Sequence, residues 1–69
     1  MYTLLRQLRE RYDLSQEDMA VFLNLSGKSA YNKKELGIRR FTLREALIIA
    51  HLFGASVEEV FVGDGDGDG

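Results

Sequence analysis

Apolar residues recur at helical spacing in five stretches of this 69-residue chain, and no stretch alternates in the manner of a β-strand. Leu5, Leu8 and Tyr12 mark one side of the first stretch, whose other positions are rich in arginine and glutamate. The pattern predicts an all-α fold, a compact five-helix bundle. The predicted helices cover residues 2–12, 16–23, 28–36, 43–53 and 57–61.

Capping residues mark the helix boundaries. Thr42 with Glu45, and Ser56 with Glu59, have the spacing of a capping box, in which each side chain bonds the backbone N–H of the other residue. Two glycines are expected to end the third and fourth helices, because glycine adopts the left-handed conformation at low cost: Gly37 and Gly54.

The fourth predicted helix carries more apolar residues than one buried face needs. Its expected core stripe consists of Leu43, Ala46, Leu47, Ala50 and Phe53. Ile48 and Leu52 lie roughly opposite that stripe, and an exposed apolar pair often marks a contact. We therefore expect a self-association or partner surface at Ile48 and Leu52. The alternative is that neighbouring helices or the chain end cover them lightly.

Six aromatic side chains are spread along the predicted apolar faces, which is not the arrangement of a platform that stacks single-stranded bases. We expect them in the core, with the Tyr31 hydroxyl reaching the surface of the third helix. The six are Tyr12, Phe22, Tyr31, Phe41, Phe53 and Phe61. His51 is the only histidine and has no partner at metal-ligand spacing, so no metal site and no cofactor are expected.

The chain length suits one domain, residues 1–62, because the final GDGDGDG, residues 63–69, cannot join a core. We expect that tail to be a disordered acidic segment. It copies the opening of an EF-hand loop without its glutamate, which leaves weak calcium binding as an alternative. The absence of cysteine, of a long apolar run and of an apolar signal core favours a reducing cytoplasm and no membrane partner.

Positive charge is concentrated in the middle of the chain, although the net charge is −2. Residues 28–44 hold six of the nine lysines and arginines and one acid, Glu35, whereas the chain from Glu45 onward holds six acids and no lysine or arginine. One face of the molecule should therefore be basic and another acidic.

Four polar residues share one arc of the third helix at 100° per residue: Lys28, Ser29, Asn32 and Lys33. Ala30, Tyr31 and Glu35 fall on the other side. Lys34 lies between Ala30 and Tyr31, so it must extend its amine to solvent, or this arc is partly open. A solvated charged face would explain the lysines by themselves. However, two short helices joined by a tight turn, the second cationic, have the layout of a helix-turn-helix.

The order of several motifs makes this resemblance specific. The chain carries LR at 8–9, LSQEDMA at 14–20, SAY at 29–31, KELG at 34–37, FTLREA at 41–46 and FGASVEEVF at 53–61. In this order and spacing they resemble the phage-repressor type of helix-turn-helix domain, the Cro/repressor-like or xenobiotic-response-element family. The resemblance covers residues 4–61 and implies a bundle of the lambda-repressor-like type.

The resemblance also implies roles for single residues. Gln16 would contact a phosphate and brace the third helix, and Arg9 would pair with Glu35. The residues that would reach base edges are Lys28, Ser29, Asn32 and Lys33. The residues that would meet phosphates after the third helix are Gly37 through its N–H, Arg39, Arg40 and Thr42. The connection from Leu23 to Tyr31 is one residue longer than in the commonest members of the family. The set of residues that reach bases could therefore be shifted by one position along the third helix.

Three classes of function compete for this chain. An enzyme is disfavoured, since there is no cysteine, no phosphate-binding glycine loop and too little volume for a buried site, and no small-molecule substrate is expected. A protein-interaction module on the same fold, such as an antitoxin or anti-repressor, would use Ile48 and Leu52. We favour a sequence-specific regulator of transcription, a repressor of phage, plasmid or bacterial type that binds double-stranded DNA as a homodimer. Only this function explains why the lysines and arginines are concentrated in the third helix and the loop after it.

Overall fold

The computed structural model describes residues 1–61, and the predictions for the acidic tail, residues 63–69, lie outside them. Within the described range all regular structure is helical. The five helices are α1 (Thr3–Arg11), α2 (Gln16–Phe22), α3 (Lys28–Glu35), α4 (Leu43–Phe53) and α5 (Val57–Phe61). The all-α prediction is confirmed, and every predicted boundary lies within one residue of the observed one.

The capping signals act as the sequence predicts. Thr42 and Glu45 exchange side-chain and backbone hydrogen bonds at the start of α4, and Ser56 and Glu59 do the same before α5. A further capping box, formed by Ser15 and Asp18, begins α2. Gly54 ends α4 in the left-handed conformation, with φ 66°. These signals depend on residues three or four positions apart, so they operate without help from the rest of the fold.

One hydrophobic core joins all five helices. Its buried members are Leu5, Met19, Ala20, Leu23, Tyr31, Ala46, Ile49, Phe53, Val60 and Phe61. Burial of apolar surface provides the main stabilisation, roughly 1.5–3 kcal/mol for each large side chain. The helix-turn-helix unit, α2 with α3, packs onto this core, and Asn24 takes a positive φ of 59° in its turn, which asparagine tolerates better than most residues.

The predicted faces of α4 are wrong in part: Ala46, Ala50 and Phe53 are buried as expected, but the other assignments fail. Leu43 and Leu47, expected in the core, are 72% and 54% exposed, whereas Ile49 is fully buried. Ile48 and Leu52, expected to be exposed, are half-buried against the core. Only three of the eleven residues of α4, namely Arg44, Glu45 and His51, are polar. Periodicity therefore could not decide which apolar side faces inward.

Two of the six aromatic residues expected in the core lie at the surface, Tyr12 at 50% and Phe22 at 45% exposure. The interior aromatic cluster instead includes Tyr2, which the sequence pattern did not single out. The Tyr2 ring packs edge-on against Phe41, with centroids 5.6 Å apart, and against Phe61 at 5.3 Å. The backbone N–H of Tyr2 donates to the carbonyl of Glu35 at 3.0 Å, so the chain start is tied to the end of α3.

Candidate nucleic-acid interface

The helix α3 separates its side chains into an outer and an inner group. Lys28, Ser29 and Lys33 are exposed on the outer side, and Asn32 is half-buried beside them. All four residues predicted to reach bases therefore share one side of the helix. Within the described residues, the side chains of Lys28, Ser29 and Lys33 make no hydrogen bond to protein groups, so they are available to a ligand.

On the inner side, Glu35 is a charged residue with only 2% of its surface exposed. Its carboxylate accepts hydrogen bonds from Arg9 Nε at 2.9 Å and from Arg9 Nη2 at 3.4 Å. Tyr31 Oη donates at 3.0 Å and Gln16 Nε2 also donates at 3.0 Å. The ion pair expected between Arg9 and Glu35 is formed, and donors from α1, α2 and α3 converge on one carboxylate.

This network resolves the problem of burying charge beside an apolar core. Burial works against the charged guanidinium of Arg9, but the hydrogen bond and the negative charge of Glu35 outweigh it and raise the pKa of Arg9. Burial and the neighbouring Glu35 also raise the pKa of Tyr31, which keeps its phenol protonated as a donor. Among the described residues, no buried side-chain polar atom lacks a hydrogen-bond partner.

The prediction that the Tyr31 hydroxyl reaches the surface is wrong. Tyr31 is fully buried, and its hydroxyl donates to Glu35. The sequence contained a signal for this contact, since Tyr31 and Glu35 are four residues apart and therefore neighbours on one side of a helix.

Gln16 connects the two sides of α3. Its Nε2 donates to Asn32 Oδ1 at 2.9 Å and to Glu35 Oε1 at 3.0 Å. An amide nitrogen has two hydrogens, so both are used within the protein. The bracing role expected of Gln16 is therefore visible in the geometry. A contact between Gln16 and a phosphate stays a prediction.

The segment after α3 carries two further cations close to the C-terminal end of the helix, where the N–H groups of Ile38 and Arg39 donate to the Lys33 carbonyl. Arg39 and Arg40 are exposed there, beside Thr42 at the start of α4. The Thr42 hydroxyl accepts from Glu45 N at 3.1 Å, which leaves its own hydrogen to donate. The N–H of Gly37 already donates to the carbonyl of Lys34 at 3.0 Å as the chain leaves α3 with φ 87°. Gly37 is thus the least suitable donor among the predicted phosphate contacts.

Lys34 has a role that sequence reasoning missed. It keeps its amine within the protein, where Nζ donates to the Arg40 carbonyl and to Glu45 Oε1, both at 2.9 Å. The amine also lies 5.9 Å from the centroid of the Phe41 ring. Lys34 thereby ties the loop carrying Arg39 and Arg40 to the first turn of α4.

The pair with Lys34 changes the acidity of Glu45. Burial opposes ionisation, but hydrogen bonds from the Thr42 backbone and from Lys34 outweigh it, so the pKa of Glu45 is lowered below its ordinary 4.5. The carboxylate thus serves two purposes: it caps α4 and holds the lysine of α3.

Other kinds of site find no support within residues 1–61. No group of three or more histidine, cysteine, aspartate or glutamate side chains there could hold a metal ion. No helix in that range is long and apolar enough to cross a membrane.

The short helix α3 is joined to α2 by a tight turn and carries cations on its outer side and along the loop that follows. This arrangement defines a helix-turn-helix protein of the DNA-binding class. The comparison with protein families agrees. The chain belongs to the helix-turn-helix domain family, whose model matches residues 3–60. No curated protein matches the chain significantly.

Proposed function

We propose that this protein is a sequence-specific transcriptional regulator that inserts α3 into the major groove of double-stranded DNA. The observation that carries the proposal is the outer side of α3, where Lys28, Ser29 and Lys33 are exposed and make no side-chain hydrogen bond within the described residues. The major groove admits one α-helix and presents base edges rich in hydrogen-bond acceptors. Arg39 and Arg40 are exposed and add positive charge just past the C-terminal end of α3, which suits a helix placed between two phosphate backbones.

The contacts divide into two roles. Arg39, Arg40, the Thr42 hydroxyl and one lysine of α3 contact phosphates and set the position of the protein, without reading sequence. Asn32 is the principal reader of bases, because its amide combines donors and an acceptor that can bond bidentately to adenine. Gln16 orients it, since Asn32 Oδ1 accepts the Gln16 amide hydrogen at 2.9 Å.

The biological role we propose is a repressor of phage, plasmid or bacterial type that occupies a pseudo-palindromic operator as a homodimer. One short helix reads few base pairs, so two copies on a two-fold site give the length of sequence that specificity needs. A binding role agrees with the chemistry of the interior, where Glu35 and Arg9 are fully committed to each other and to structural partners. An interaction module that uses Ile48 and Leu52 is disfavoured, because it assumed that both residues are exposed and both pack against the core.

Selection of bound duplexes from a random DNA pool tests the proposal. The expected result is a motif with two-fold symmetry and half-sites about one helical turn apart, roughly 34–36 Å. Binding should weaken steeply with salt, because phosphate contacts release counterions. A pool that gives no enriched motif, at low salt and with folded protein, would overturn the proposal.

Arg40→Ala separates positioning from reading. It should weaken binding to all duplexes alike. It should also reduce the slope of log binding constant against log salt concentration by about one, as expected for one lost phosphate contact. The matched control is Arg6→Ala, which removes an exposed arginine of α1 that pairs with Glu10. The control should leave affinity and slope unchanged. Equal losses in both variants would indicate a general charge effect instead of a defined face.

A further inference from the structure

The loop between α3 and α4, residues 36–42, is held at both ends by hydrogen bonds to the rest of the protein. At its start, the N–H of Ile38 donates to the Lys33 carbonyl at 2.8 Å. At its end, the N–H of Thr42 donates to Glu45 Oε1 at 2.9 Å. The middle of the loop, which carries two arginines, needs a further contact if it is to keep one conformation, because each free residue gains conformational entropy.

Lys34 supplies that contact from α3. Its Nζ donates to the Arg40 carbonyl at 2.9 Å, and among the described residues this is the only hydrogen bond to the backbone of Arg40. The next residue, Phe41, is anchored in the interior aromatic cluster, with ring centroids 5.2 Å from Phe61 and 6.2 Å from Tyr31. The amine and the ring therefore fix the main chain at two consecutive residues, while the Arg40 side chain stays exposed.

Lys34 is poorly placed to contact DNA itself. Of the three hydrogens of its ammonium group, two are used on the Arg40 carbonyl and on Glu45 Oε1, and the Phe41 ring centroid lies 5.9 Å from Nζ. The side chain is only 12% exposed, and its charge is balanced by that of Glu45. Unlike the exposed lysines of α3, Lys34 can influence DNA binding only through the position of the loop.

The place of Lys34 on its helix suggests what the amine adds. Lys34 is half-buried on the arc of α3 between Ala30 and Tyr31. A charged group loses hydration in such a place, whereas an apolar side chain of similar length packs there without needing a partner. Lys34→Met should therefore cost no more stability than a small core substitution. The property that it removes is the bond to the loop carbonyl.

We propose that Lys34 is a positioning residue for DNA binding, which holds the loop in the conformation that brings Arg39 and Arg40 to phosphates. The inference rests on the proposed function. A loop that is fixed before binding loses less conformational entropy when its arginines reach the phosphates, so the same contacts give a higher affinity. Because phosphate contacts carry no sequence information, the gain applies to all duplexes alike.

Limited proteolysis tests the loop in the protein alone. Trypsin cleaves after arginine, and the Arg40 carbonyl that accepts from Lys34 belongs to the bond that it cleaves. Lys34→Met should raise the initial rate of cleavage after Arg40 at least about fivefold, because the loop opens more often. Cleavage after Arg11, exposed at the end of α1, should keep its rate. Mass spectrometry measures both sites. An unchanged rate after Arg40, or an equal rise after Arg11, would overturn the proposal.

Titration of DNA at several salt concentrations tests the effect on binding. Lys34→Met should lose about tenfold in affinity for every duplex, whether selected from the random pool or not. The slope of log binding constant against log salt concentration should stay unchanged, because the arginines still reach their phosphates. The control Ile49→Val, which weakens the core slightly at a fully buried position, should bind like the unaltered chain when folded. A slope reduced by about one would mean that Lys34 itself contacts a phosphate, and the proposal would be wrong.

A chain without the two loop arginines completes the test. In the background of Arg39→Ala with Arg40→Ala, Lys34→Met should cause no further loss of affinity, because the loop then has nothing to position. A loss of about tenfold in that background would contradict the proposal, since Lys34 would be acting elsewhere. If the unaltered chain binds DNA and Lys34→Met binds equally well, this inference alone is wrong. If the unaltered chain binds no duplex at low salt, the proposed function is wrong whatever the trypsin rates, and the inference falls with it.

Discussion

The inner and outer sides of α3 use the same kinds of residue for opposite purposes. On the inner side, Glu35 is 2% exposed, and each of its carboxylate oxygens accepts two hydrogen bonds from protein donors. On the outer side, Lys28 and Lys33 are exposed and their amines contact no acceptor within residues 1–61. A satisfied polar group fixes structure, whereas an unsatisfied and exposed one is available for recognition.

Under the proposed function, different sides of one eight-residue helix carry stability and recognition. Substitutions on the inner side should therefore change the free energy of unfolding, and substitutions on the outer side should change binding. Asn32 is the exception that connects them, because it is half-buried and accepts a hydrogen bond from Gln16.

The strongest test of the inner side is Glu35→Ala. The substitution leaves the Arg9 guanidinium buried without its counter-ion, and breaking such a pair costs about 3–5 kcal/mol. Because a domain of this size is stable by only a few kcal/mol, the variant should be largely unfolded at room temperature. Circular dichroism during urea titration measures the loss.

Lys33→Ala is the outer-side control for that experiment. It lies two residues away on the same helix, and its stability should change by less than about 0.5 kcal/mol. Tyr31→Phe is an intermediate variant that removes one donor to Glu35 and should cost about 1–3 kcal/mol while leaving a measurable unfolding transition. A Glu35→Ala protein that unfolds with the midpoint of the unaltered chain would contradict the role of the network.

The second test asks whether Gln16 transmits order from the inner side to the outer. Asn32→Ala should relax the preference at one base position by about 1–3 kcal/mol. Gln16→Met, of similar length but without the amide, should relax the preference at the same position, because Asn32 loses the bond that orients it. The double variant should then lose little more than either single one, as expected for coupled residues. Competition binding to single-base variants of the selected duplex measures each value.

Additive losses would show that Gln16 and Asn32 act independently. In that case the 2.9 Å contact between them would have no consequence for recognition. Loss of preference at different positions in the two single variants would lead to the same conclusion.

The sequence predicted those parts of the fold that depend on neighbouring residues. The capping boxes at Thr42 and Ser56 and the left-handed Gly54 are local, and the helix boundaries follow from them. The outer arc of α3 was also predictable, because four polar residues at helical spacing have few other places to lie. Arg9 with Glu35 was expected only through resemblance, since no periodicity relates residues 26 positions apart.

The predictions that were wrong concern features that depend on contacts between helices. α4 is apolar around most of its circumference, so only its packing partners decide that Ile49 faces inward and Leu47 outward. Lys34 was expected to be a difficulty on an apolar arc. Its solution, a bond to Glu45 on the next helix, requires knowledge of how α3 and α4 are placed. Helix caps are local in sequence, but the choice of buried face is a property of the assembled core.

The smallest expected effect concerns this pair of Lys34 and Glu45, which joins the loop of arginines to α4. The side chains are 12% and 13% exposed, so the pair is screened less than a surface ion pair and should contribute about 1 kcal/mol. Because the pKa of Glu45 is lowered in the folded chain, its contribution is present above the ordinary value of 4.5 and is lost as the pH falls through the folded pKa. The stability of the protein should therefore decline in acid.

Glu45→Gln isolates the charge, because glutamine keeps the capping-box geometry at this position. We expect it to lower stability near neutral pH by about 1 kcal/mol and to reduce the loss on acidification to about pH 3, as measured by urea unfolding at both pH values. The matched control is Glu59→Gln. Glu59 accepts a hydrogen bond from the Ser56 N–H at 2.8 Å in an equivalent capping box, but it has no lysine partner among the described residues. If both variants behave alike, the capping bonds account for the effect and Lys34 contributes nothing, so α3 and α4 would be joined by their apolar contacts alone.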